Sequence, residues 1–85
     1  MKEQIKSLLR KFLNTNLLLC KRYALAQDLI MARSLWQQAV GAVQFISISA
    51  ISVYSDFNFA AEIDTLWNEE YSDAFDKVLF PEVGE

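Results

Sequence analysis

Few side chains in this 85-residue chain could take part in bond chemistry, and their spacing sorts them quickly. Histidine is absent, which removes the commonest general base and metal ligand. Cys20 is the one thiol. It permits no internal disulfide, falls short of a structural zinc site, and has no histidine to activate it. It reads as an inert residue packed among Leu17, Leu18 and Leu19. Ser47, Ser49, Ser52 and Ser55 have no base nearby in sequence, and Gly41 and Gly84, 43 positions apart, make no phosphate-cradling loop. Neither catalysis nor a cofactor or metal site is expected from this inventory.

Charge is what remains, and it is divided along the chain. Residues 1–33 carry seven basic groups against two acidic ones, a balance of +5, while residues 34–85 carry Lys77 against nine carboxylates, −8. Arg10, Lys11, Lys21 and Arg22 flank Asn14-Thr15-Asn16. Were that tripeptide a turn, they would surround the start of a second helix, whose free N–H groups and dipole favour anions. Tyr23 beside them could stack on a base, so the group suits a nucleotide or another phosphorylated ligand; solvated helix ends are the plainer account. Duplex nucleic acid is disfavoured, because the acidic half repels phosphate.

In the acidic half, Glu62, Glu69, Asp73 and Asp76 fall on one stripe. A hard cation needs oxygens converging on a point, whereas these spread along a rod. A solvated face is the plain reading. The sharper one is a face that docks a basic protein partner, or the basic first half of this chain or of another copy. Asp28 interrupts an otherwise apolar arc, and an ion pair with Lys21 or Arg22 is the favoured way to compensate it.

The elements that would position these groups are helical. Ile5, Leu8, Leu9, Phe12 and Leu13 recur at helix spacing, and Asn14-Thr15-Asn16 predicts a turn with Asn16 capping a second helix. From Gln27 to Gln44, Leu29, Ala32, Trp36, Ala39 and Val43 share one half of the cylinder, and their small members beside Trp36 suit close approach of another helix. These five are the expected self-association face. Residues 46–54 alternate β-branched residues and serines as a strand would, yet no second strand candidate exists for pairing. An unbroken helix over 17–54 would be about 55 Å long. A bend or break somewhere in 41–55 is therefore expected. Phe59, Ile63, Leu66, Trp67, Tyr71, Ala74, Phe75 and Val78 mark a last helix that Pro81 stops before a frayed tail.

The expected architecture is thus one all-α domain: a short helix over about 2–13, a long central helix over 17–52, and an amphipathic helix over 58–80. With 53% of residues apolar, a chain this small has more apolar surface than one copy can bury, so the bundle is expected to be completed by a homodimer or higher oligomer. Twenty-two uncharged residues between Arg33 and Asp56 could span a bilayer core, but Gln37, Gln38 and Gln44 in its first half and four serines in its second argue against it. Met1 to Leu13 lacks the apolar core of a signal peptide, which favours the cytoplasm. The function expected is non-enzymatic: to bind, inhibit or sequester a protein partner, as small acidic helical proteins of phages and mobile elements commonly do.

Overall fold

In the computed structural model, which describes residues 1–81, helices α1 (Lys2–Leu25) and α2 (Leu29–Tyr54) form an antiparallel pair. A third rod packs on both: α3 (Phe57–Leu66), a π-helical turn (Trp67–Tyr71) and α4 (Ser72–Leu79). No strand forms among the described residues, so 46–54 is helix throughout. The expected tail at 82–85 lies outside the described residues. No helix among the described residues is long and apolar enough to cross a membrane.

The boundary between the first two helices lies well away from the expected one. Asn14-Thr15-Asn16 is the middle of α1 and not a turn. An asparagine disrupts a helix when its amide competes for the local backbone, and here both amides bond elsewhere. Asn16, buried, donates from Nδ2 to the Leu35 carbonyl of α2 at 3.1 Å, and Asn14 Oδ1 accepts from the Tyr71 hydroxyl at 2.8 Å. The chain turns instead at Gln27, and then at Ser55 inside the gap expected between 52 and 58; both are left-handed, with φ of 62° and 52°. At the first, the Asp28 N–H reaches the Tyr23 carbonyl and the Gln27 N–H that of Ala24, the paired bonds that close a helix C-terminus. Each turn then hands over to an aspartate. Asp28 Oδ1 caps α2 at the Met31 N–H (3.1 Å), and Asp56 Oδ1 caps α3 at the Phe59 N–H (3.0 Å). Asp28 is therefore a solvent-exposed cap, and the ion pair expected for it with Lys21 or Arg22 does not form.

With its real start at Leu29, α2 runs without a break through 41–54. Its 26 residues make about 39 Å of helix, against a longest molecular dimension of 41 Å. The core lies between the three rods, around Leu13, Cys20, Ile63 and Phe75, with Ala32 and Ala39 letting the backbones approach. Cys20 donates from Sγ to the Ala32 carbonyl at 3.4 Å, so both buried polar atoms of α1 hook onto main-chain oxygens of α2.

The π-helical turn repairs a register fault in the last stripe. Leu66 and Tyr71 are five residues apart, which an α-helix would place well away from each other in direction. Widening one turn to i→i+5 bonding returns Tyr71 to the core side, and both residues are buried. Trp67 and Phe75 then meet with ring centroids 5.5 Å apart.

Candidate functional site

The charged groups collect along the seam where α1 runs parallel to the third rod. Lys2 Nζ lies 2.6 Å from Asp56 Oδ2, Lys6 Nζ donates to Glu62 Oε1 at 2.8 Å, and Arg10 holds Glu70 through two bonds of 3.0 and 3.3 Å. Successive partners advance along both helices together, so one face of α1 is read by one face of the rod. Tyr71 ends the row. Its hydroxyl donates to Asn14 Oδ1, with the Arg10 carbonyl 3.4 Å away.

These contacts shift the groups as pairing dictates. The hydrogen bond from Lys2 holds the Asp56 carboxyl below its ordinary range, helped by the Phe59 N–H, and the bond from Arg10 does the same for Glu70. Lys2, Lys6 and Arg10 are raised by their bonds to Asp56, Glu62 and Glu70. Burial pushes both the Cys20 thiol and the Tyr71 phenol up, so each stays protonated near neutrality. A thiol in that state is a poor nucleophile.

The residues expected to hold an anion are not brought together. Arg10 is committed to Glu70, Lys11 lies exposed in mid-helix, and Lys21, Arg22 and Tyr23 sit about 16 Å further along an unbroken α1. No helix starts among them, so the free N–H groups that the arrangement required are absent there. The acidic stripe is divided. Glu62 is spent on Lys6, while Glu69, Asp73 and Asp76 stay exposed with no ion-pair partner among the described residues. Asp56 and Glu70, which complete the seam, stand outside that stripe.

The expected self-association face has turned inward. Ala32, Ala39 and Val43 are buried within the chain, Trp36 is half-buried, and Leu29 alone of the five is exposed. The physical reason is that α1 and the third rod together cover the face. Other apolar side chains remain in water, among them Leu8 (66% exposed), Phe45 (73%), Ile48 and Ile30. At one end of the bundle, Met1, Ile5, Phe45, Ile46 and Phe59 line an apolar hollow of about 400 Å³, with the Lys2–Asp56 pair at its edge. No group of three or more potential metal ligands occurs among the described residues. Compared with known proteins, the chain matches no family model, no curated protein and no solved structure.

Proposed function

We propose that this chain is a non-enzymatic interaction protein of the cytoplasm, whose work is to bind, inhibit or sequester a protein partner. The observation that supports it is the set of large apolar side chains left in water on α1 and α2 even after the third rod has packed. Such surface on a small chain costs stability and is ordinarily covered by association. The uncommitted carboxylates Glu69, Asp73 and Asp76 add a second recognition element, suited to a basic partner. The same apolar surplus suits completion of the bundle by oligomerisation.

Native mass spectrometry of the particle recovered from its own host tests this reading. A stoichiometric second polypeptide is the expected result. Recovery of a lone, unbound chain overturns it. Glu69→Gln, Asp73→Asn and Asp76→Asn together should weaken retention of a basic partner without loss of helical dichroism; unchanged retention removes the acidic row from the account.

A further inference from the structure

The side of the α1–α2 pair that faces away from the third rod is an unpartnered apolar surface, and several observations say what covers it. α1 directs Lys6, Arg10 and Asn14 toward the third rod, and Asn16 and Cys20 toward α2. At about 100° per residue, Leu8 and Phe12 lie beyond the α2-facing row, on the far side from the rod. The bonds Asn16–Leu35 and Cys20–Ala32 fix the antiparallel register, and extending it sets Phe12 beside Ala39 and Leu8 beside Val43. Ile5, Leu8, Phe12, Thr15 and Leu19 succeed one another by three or four residues along α1, as do Gln38, Gly41, Phe45 and Ile48 along α2. That is the spacing of a helix-packing seam. Neither row contains a charge.

We propose that the occupant of this face is a second copy of the same chain, packed α1–α2 against α1–α2 about a two-fold axis. The proposal rests on the proposed function, in which the uncovered apolar surface serves association, and names its partner. Three features fit a copy of the chain as that partner. The chain exposes 5936 Å², whereas a compact monomer of 9.8 kDa exposes roughly 5,200 Å². The surplus is close to the roughly 800 Å² that each partner buries in a standard-size interface. A face free of charge meets its own copy without like-charge repulsion, whereas the acidic row of the third rod could not. Finally, Gly41 stands in mid-helix with nothing within 4 Å of where a Cβ would be. The isolated chain has no packing use for a glycine there, and a better helix former would serve it. A helix of the second copy approaching closely over Gly41 supplies the use. The hollow lined by Met1, Ile5 and Phe45 continues this face and offers space for an apolar side chain of the second copy.

Sedimentation equilibrium across the micromolar range decides the matter. The wild-type chain should have the mass of two copies. Leu8→Glu with Phe45→Glu should halve that mass with helical dichroism retained, since both side chains are largely exposed in one copy. Gly41→Gln should also give monomers, and those monomers should fold at least as well as the wild-type chain. A monomeric wild type, or an assembly that survives both substitutions, overturns the proposal. If the host-derived particle contains a foreign polypeptide and one copy of this chain, this inference fails while the proposed function stands.

Discussion

Toward α2, α1 presents Asn16 and Cys20, both buried, each bonded to a main-chain carbonyl; toward the third rod it presents Lys2, Lys6 and Arg10, whose carboxylate partners stand partly in water. The first seam draws on close packing and a few bonds sheltered from solvent. The second adds charge that salt can screen. Pairs of the second kind fix alignment more than they stabilise. The third rod is thus aligned by its charges and held by its apolar stripe, above all Phe75, Ile63 and Tyr71.

The sharpest way to break that conclusion is Phe75→Ala. Phe75 is fully buried, and its truncation should cost about 3–5 kcal/mol in urea unfolding. A loss near zero would mean that charge, after all, holds the rod. Next comes Asn16→Ala, which removes a buried hydrogen bond to α2 and should cost about 1–3 kcal/mol, independent of salt. Tyr71→Phe tests the end of the other seam. It deletes one bond, to the exposed Asn14, and should cost about 1 kcal/mol. Glu70→Gln should lower the melting temperature by less than any of these, and high salt should erase the difference from wild type.

The smallest effect is the dependence on pH. Asp56 and Glu70 are held low by Lys2 and Arg10, so what they contribute is complete above their ordinary values of 3.8 and 4.5 and is lost as the pH falls through their lower folded values. Lys2 and Lys6 are held high by Asp56 and Glu62. Their contribution is complete below 10.5 and is lost as the pH rises through their raised folded values. Melting curves should therefore show a plateau between these limits, and Glu70→Gln should flatten part of its acid edge. An acid edge that Glu70→Gln leaves unchanged would remove the Arg10 pair from the account.

Helicity was legible because apolar residues recur at the right spacing, most plainly from Phe59 to Val78. The second turn was legible in position, since Ser55 falls between the helices expected to end at 52 and begin at 58. The first was not. Gln27 adopts left-handed backbone without being glycine, so the usual punctuation is missing, while Asn14-Thr15-Asn16 supplies false punctuation that only tertiary partners silence. Periodicity also showed that Ala32, Ala39 and Val43 share a face without showing what covers it, and the cover proved to lie in the same chain. The division of charge was plain from composition, and its use between α1 and the third rod was one of the options it left open. Asp56 and Glu70 escaped notice because each is recognisable only beside its partner on α1.

The widened turn at Trp67–Tyr71 has a consequence for how this gene can vary. It accommodates one residue more than a regular helix would, so the spacing between Ile63 and Phe75 is a matter of count as well as identity. Losing the codon for Asn68 would let the backbone relax into regular coiling with Phe75 and Leu79 still facing as they do relative to Ile63, whereas gaining one more residue there would swing both by about 100°. A chain one residue shorter at this point should therefore fold, and one a residue longer should not.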